Sequence, residues 1–528
     1  MRRNYFNFII AVILTMVFVL WILISFMSPS GEYVMPTAPM TLQTTDNFSL
    51  LKKVAQERVA LIKKDSGIFT PYNPIAMKIA GDAIDKATTL NELGAAFLLL
   101  PNNSIGSYPI APLTGKPQDT TLFQFEQGTT GWYWGYATYR DQPSVGKVAN
   151  IMYYIIRIDI GTPKIRKKYN LPLGSTTIYS ISLGAGFGKG SWRYSPYAMC
   201  RGKYVINGPQ AFEFEAQNED GTVLVSFGSD KKSFSLDFSC KVKDNKFSTS
   251  TVFKKIKDAR FNAPNGCAPC VAGDGTLYWS YTQLDASSNI TVNDKTLEFT
   301  KGDGWLDHQW MRGNDPLQLG VKIMTNISQL KKSVGGLGRY VWLNVHLSDV
   351  EFMVTAFPPQ STRISKGQTY AAQFIAYPSA KPTSFKNKTV MTFEETTVVD
   401  GVTFPTVISV TLPGPDGAEK YTISSIPYGN CVTLDLTGNL HWSGSASLSD
   451  SKGNSPGTGF IELNQFQTID RYHTAMLSMA GIDTRNLTVF SGPPLTFIQV
   501  LPSFLYLILG LELLIAMLIF LIVGIVRR

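Results

Sequence analysis

Gly131-Trp132-Tyr133-Trp134-Gly135-Tyr136-Ala137-Thr138-Tyr139 alternates bulky side chains with a period of two and runs into a turn at Asp141-Gln142-Pro143. That period belongs to an extended strand with side chains on alternate faces. Outward from it, Ile151-Met152-Tyr153-Tyr154-Ile155-Ile156 reads as a second strand. Further strands are expected at 177–183, 211–216, 222–227, 233–239, 277–283, 289–299, 341–347 and 351–357. Others follow at 369–376, 389–398, 406–412, 432–436, 440–447 and 459–466. Many short strands parted by turn residues make a barrel or a sandwich. Leu277-Tyr278-Trp279-Ser280 and Leu440-His441-Trp442-Ser443 echo each other, which suggests two related β units joined near residue 311.

Upstream of the first strand the period changes. Leu50, Leu51, Val54, Val59 and Leu61 fall at roughly helical spacing, and an apolar stretch from Leu93 to Leu100 stops at Pro101. Two or three helices are expected here, as a stalk or a cap, after a polar, proline-bearing spacer over 28–45.

With 12% aromatic and only 16% charged residues in 528, the chain is a packed protein rather than a disordered one. The net charge of +9 includes four terminal arginines, and the one basic cluster, Lys164-Ile165-Arg166-Lys167-Lys168, reads as a solvated β-turn. No nucleic-acid partner is expected. The sequence holds no nucleophile elbow, phosphate loop or dinucleotide fingerprint, and its four histidines leave little for a metal site. No cofactor or metal is expected. Of the five cysteines, Cys267 and Cys270 sit in a Pro/Gly-rich loop as a local disulfide or two inert thiols. Cys200 and Cys240 lie on segments that could neighbour each other and are expected to pair.

Both ends are apolar. Residues 8–27 are uncharged and long enough to cross a bilayer, and 504–526 form a second run broken only by Glu512. The first run exceeds a signal peptide's apolar core and lacks a small-x-small cleavage site, which favours an uncleaved anchor. Arg2 and Arg3 precede it, while Arg527 and Arg528 follow the second. Both termini are therefore expected in the cytoplasm, with residues 28–500 on the other side of the membrane. Sequons at Asn47, Asn102, Asn289, Asn326, Asn387 and Asn486 agree with that topology as glycosylation sites. Glu512 is open to a functional reading or to a shallow, inert one.

Gly302-Asp303-Gly304-Trp305-Leu306-Asp307-His308-Gln309-Trp310 resembles the G-x-x-W-x-D-H-x-W signature of the lipocalin-like hydroxyneurosporene synthase (carotenoid 1,2-hydratase) family, with its kievitone-hydratase-like and AttH-like members. Four further blocks fit in order: Gly131–Tyr136, Leu277–Ser280, Trp342 with Leu347-Ser348-Asp349, and His441–Gly444 with Gly457–Leu463. The match spans roughly Phe123 to Phe466. It implies two lipocalin-like antiparallel β-barrels packed together, over 121–310 and 311–490. They would follow an anchor (1–27) and a spacer with helices (28–120), and precede a C-terminal transmembrane helix (500–526). Gln309 and Ser443 depart from the pattern, and near Trp342 the family's Tyr-x-Asp pair is replaced by Asn344 and His346.

Hydrating a C=C bond requires a desolvated acid, an aromatic face for the cation and a group that positions water. Asp307, His308 and Trp310 supply these types as candidate catalytic residues. On a strand, His308 and Trp310 share one face, so they are the pair expected to line a pocket, whereas Asp307 points away and could fix the junction between barrels. The resemblance adds Trp132, Trp134, Tyr278, Trp342, Trp442 and Glu462 as candidate ligand-binding residues. The leading expectation is a membrane-anchored barrel protein that binds an apolar lipid or isoprenoid. A hydratase- or isomerase-like enzyme and a purely structural or adhesion ectodomain are the alternatives.

Overall fold

The computed structural model describes residues 39–65, 74–100, 131–142, 147–187, 197–208, 211–242, 244–262, 267–269, 275–311, 339–359, 362–379, 388–414, 416–434 and 440–483, and six helical positions between 512 and 522. The N-terminal apolar run, most of the C-terminal one, and the sequons at Asn102, Asn326, Asn387 and Asn486 lie outside these residues. Among the described residues, no helix is long and apolar enough to cross a membrane. Asn47 and Asn289 are both exposed.

A short strand β1 (Met40–Gln43) and three helices, α1 (Phe48–Asp65), α2 (Pro74–Lys86) and α3 (Leu90–Leu98), come first. The first barrel follows, with β2 (Gly131–Gln142), β3 (Lys147–Asp159), helix α4 (Pro163–Tyr169), β4 (Thr177–Phe187), β5 (Tyr197–Gly208), β6 (Ala211–Gln217), β7 (Val223–Ser229), β8 (Ser233–Val242) and β9 (Asn245–Lys255). After two short strands, β10 (Arg260–Phe261) and β11 (Cys267–Pro269), it finishes with the long hairpin β12 (Gly275–Val292) and β13 (Lys295–Met311). Each wall strand pairs with the next along the chain, and β13 returns to pair β2, so ten antiparallel strands close. The second barrel runs β14 (Tyr340–Leu347), β15 (Val350–Ala356), β16 (Thr369–Pro378), β17 (Thr389–Val399), β18 (Val402–Gly414), β19 (Gly417–Leu434), β20 (Leu440–Ser449) and β21 (Gly457–Asn464). Its eight strands also close in chain order, the up-and-down arrangement of lipocalins. Helix α5 (Ile469–Met479) ends the described core.

Period-two burial builds both walls. In β8, Phe234, Leu236, Phe238 and Cys240 turn inward while Ser235 and Asp237 face out. Aromatic residues, among them Tyr133, Tyr153, Tyr204, Phe212, Phe227 and Trp279, pack together inside the first barrel. Gly135 is small because the Tyr153 ring lies against it; a Cβ there would stand 2.5 Å from the Tyr153 hydroxyl. Aliphatic residues with Phe352, Phe374, Phe393, Phe404 and Trp442 pack together inside the second.

Several expectations change. Residues 289–299 are no single strand but the turn of the β12–β13 hairpin, with Val292 opposite Lys295 and Asn293 in the left-handed region (φ 53°). The basic cluster at 164–168 is helix α4, capped by the Thr162 hydroxyl, and its Arg166 is buried against Asp159 at 2.5 Å. The helical segment is a cap: α1–α3 lay their apolar faces on Ile158, Ile178 and Met199 of the first barrel and on Leu477 of α5. The spacer's last residues form β1, which pairs β5.

No disulfide joins Cys200 to Cys240, and each is a buried thiol. Cys200 lies on β5 and Cys240 on β8, with β6 and β7 between them in the wall. Strands stand about 4.8 Å apart, so a three-strand separation puts the two backbones beyond the roughly 7 Å that a bridge can span. Burial pushes the Cys200 thiol far above its ordinary pKa, which keeps it inert.

Candidate functional site

Alternation along β13 decides where the Asp-His-x-Trp residues go. His308 turns inward, fully buried, with its ring stacked on Tyr133 (3.8 Å between centroids, 9° between planes) and edge-on to Trp279 at 4.9 Å. It is part of a packed interior. Trp305 and Asp307 turn outward to the seam where the two barrels meet. There Trp134, Tyr136, Met152 and Trp305 of the first barrel pack on Trp342, Met353, Tyr377 and Phe460 of the second.

Register sets a row across the first barrel's face: Ser280 on β12 stands opposite Asp307 on β13, Asp307 opposite Trp134 on β2, and Trp134 opposite Tyr154 on β3. Asp307 accepts hydrogen bonds from the Tyr278 hydroxyl (2.6 Å), the Trp305 indole N–H (2.5 Å) and the Ser280 hydroxyl. All three donors belong to its own barrel. Burial raises its carboxyl to about 7 against the pull of those donors, and the charge of Glu462 adds to the rise. Burial also pushes the Tyr278 hydroxyl well above the usual phenol range.

The facing wall carries a second carboxylate. Glu462 on β21 accepts from the Tyr154 hydroxyl, reaching across from the first barrel, and from Tyr340 at 3.3 Å. The Nδ1 of His441 lies 3.4 Å from it. Between the two carboxyl groups the seam is aromatic: Trp134 meets Trp342 edge-on at 5.0 Å, Trp305 meets Trp342 at 5.4 Å, and Tyr136 stacks on Phe460 at 3.7 Å. The buried indole N–H groups of Trp134 and Trp342 find no acceptor among the described residues. Tyr136 donates to Asn344 at 2.7 Å, so the asparagine acts as an acceptor across the seam. At one margin Lys257 of the first barrel forms a buried ion pair with Glu351 of the second at 2.6 Å.

Of the residues expected from sequence, Asp307, Trp134, Tyr278, Trp342 and Glu462 meet at this seam. His308 and Trp442 do not: each lies inside its own barrel, Trp442 against Phe404 at 5.1 Å. Strand pairing sets Trp132 on β2 and Trp310 on β13, but their side chains lie outside the described residues. Sequence reasoning missed Tyr136, Tyr154, Tyr340, Asn344 and His441 as seam residues. Tyr136 carried a signal, being two residues from Trp134 and hence on the same face; the others depend on how the barrels dock. Among the described residues no group of His, Cys, Asp and Glu is arranged to hold a metal ion. An open groove of roughly 380 Å³ at the rim of the first barrel, lined by Lys241, Lys246, Phe247 and Asn293, contains none of the seam groups.

No family model matches the chain, and no curated protein matches it either. Solved structures do. An AttH-like protein of Nitrosomonas europaea aligns with 68% of this chain and 100% of its own at 13% identity, with a TM-score of 0.44. Kievitone hydratase from Nectria haematococca covers 69% of this chain and 96% of its own at 12% identity and TM-score 0.37. CghA covers 69% and 96% at 10% identity and TM-score 0.41.

Proposed function

We propose that the protein binds an apolar, unsaturated ligand at the seam between its barrels and that Asp307 acts on it as a proton donor, in a hydration or isomerisation of a C=C bond. The observation that carries this reading is the Asp307 carboxyl, titrating near 7 beside an aromatic wall and held only by donors of its own barrel. A residue whose task was to tie the barrels would bridge them. That bridging falls to Lys257–Glu351, Tyr136–Asn344 and Tyr377–Asn262 instead. A protonated carboxyl in a dry site can give its proton to an alkene, and indole faces stabilise the cation that results. The two unpartnered indole N–H groups suit an oxygen atom on the ligand or product.

The chain is anchored by residues 8–27 and 504–526, with the barrels on the exocytoplasmic side. The arginine flanks and the exposed Asn47 and Asn289 support this, as do Ile515, Leu518, Ile519 and Ile522, exposed apolar positions of the C-terminal run.

Native mass spectrometry of the detergent-purified full chain is the direct test, repeated after exposure to an extract of unsaturated isoprenoids and lipids. A bound apolar species, displaced when Trp134→Ala or Trp342→Ala opens the seam, is the expected result. A ligand-free protein that takes up nothing from the extract would sink the proposal.

A further inference from the structure

The register shows the same frame twice. In the first barrel the last strand's acid, Asp307, stands between Ser280 of the penultimate strand and Trp134 of the first strand. In the second barrel the last strand's acid, Glu462, stands between Ser443 of the penultimate strand and Trp342 of the first strand. The correspondence continues two residues away in each direction. Trp305 and Phe460 precede the two acids by two, Tyr136 and Asn344 follow the two tryptophans by two, and Met152 and Met353 are the next-strand partners of Tyr136 and Asn344. The two frames face each other as a two-fold interface would: Trp305 packs on Trp342 while Phe460 packs on Trp134 (6.2 Å), and Tyr136 bonds its own counterpart, Asn344. The chemistry beside each acid differs. Where Asp307 has the Tyr278 hydroxyl, Glu462 has the His441 imidazole.

We infer that Glu462, with His441, is the proton acceptor that complements Asp307, so that a duplicated frame supplies an acid on one wall and a base on the other. The inference rests on the proposed reaction at the seam. Burial favours the protonated form of Asp307 against the pull of its donors, whereas Glu462, 3.4 Å from the His441 imidazole, can receive a proton and pass it on. In a hydration the Asp307 O–H bond breaks and its proton bonds to one alkene carbon through the π pair. A water lone pair then forms the C–O bond at the other carbon, and the water's O–H breaks toward Glu462, directly or through His441. One water is added. A proton returning from Glu462 to Asp307 through solvent restores both groups. The charge of Glu462, which already bears on Asp307, links the two sites before any substrate is present.

The experiment uses full-length protein in detergent with squalene as the probe, in D2O, with two readouts by mass spectrometry: deuterium entering the olefinic positions, and addition of a whole water. Wild type should show both. Asp307→Asn should lose both by at least about a hundredfold, the usual scale for a general acid. Glu462→Gln should keep deuterium entry, which needs only the donor and its own reversal, and lose water addition on a similar scale. His441→Gln, which leaves the carboxylate in place, should reduce water addition partially. Melting temperatures within a few degrees of wild type show that each variant is folded, and if Glu462→Gln unfolds, His441→Gln carries the test. Water addition unchanged in folded Glu462→Gln and His441→Gln overturns this inference while leaving Asp307 as donor. A wild type inert in both readouts overturns the donor reading and this inference with it.

Discussion

Asp307→Asn is the most informative single perturbation, because structure and electrostatics set its sign at each pH. The folded-state carboxyl titrates near 7 and its ordinary value is 3.8. Its folded pKa is raised, so between those values the folded state binds the extra proton and stability falls as pH rises. A shift of about three units corresponds to on the order of 4 kcal/mol, lost between about pH 4 and pH 7 and level above that. Asparagine keeps the size and does not titrate. Its NH2, however, stands where one carboxylate oxygen accepted from the Tyr278 hydroxyl, so that hydroxyl loses its acceptor while the remaining oxygen keeps the Ser280 hydroxyl and the Trp305 N–H. That mismatch costs roughly 1–3 kcal/mol at every pH. The variant should therefore be less stable than wild type near pH 4.5 and equal to it or more stable near pH 8. Urea unfolding of both proteins across that range, followed by tryptophan fluorescence, measures the difference. Parallel stability profiles with no convergence would refute the claim that Asp307 is a desolvated acid.

His308→Ala should destabilise by roughly 2–4 kcal/mol with ligand binding retained, since it removes a ring stacked on Tyr133 inside a filled barrel; calorimetry and native mass spectrometry read the two effects. Lys257→Ala should cost about 3–5 kcal/mol by leaving Glu351 buried without its partner, and adding Glu351→Gln should recover part of that loss in a double-mutant cycle. Cys200 and Cys240 should resist alkylation in the folded protein and react once it is unfolded without reductant, as peptide mapping will show. In a eukaryotic secretory host, glycosidase should lower the mass of the full chain, and protease should reach the barrels from the exocytoplasmic face only. Digestion from the cytoplasmic face alone would reverse the topology.

Strand-rich architecture was legible in the chain because a half-buried strand must alternate, and Trp132–Tyr139 and Leu440–Ser447 do so without help from anything distant. The same rule separated Asp307 from His308, since neighbours on a strand cannot share a face. Local sequence also marked Trp134, Tyr278, Trp342 and Glu462, each within a block that carried the resemblance. It did not mark which face of each strand is core. The pair expected to line a pocket, His308 with Trp310, was assigned because the two share a strand face, and the structure packs the His308 ring on Tyr133 inside the first barrel. The outward residue Asp307 became the perturbed acid only because a second barrel covers it and removes its water. Tyr154 reaches Glu462 across 308 residues of chain, and Tyr136 reaches Asn344 across 208. No local pattern encodes such a separation: periodicity reports the face a side chain occupies, while the docking of two closed walls determines what that face meets.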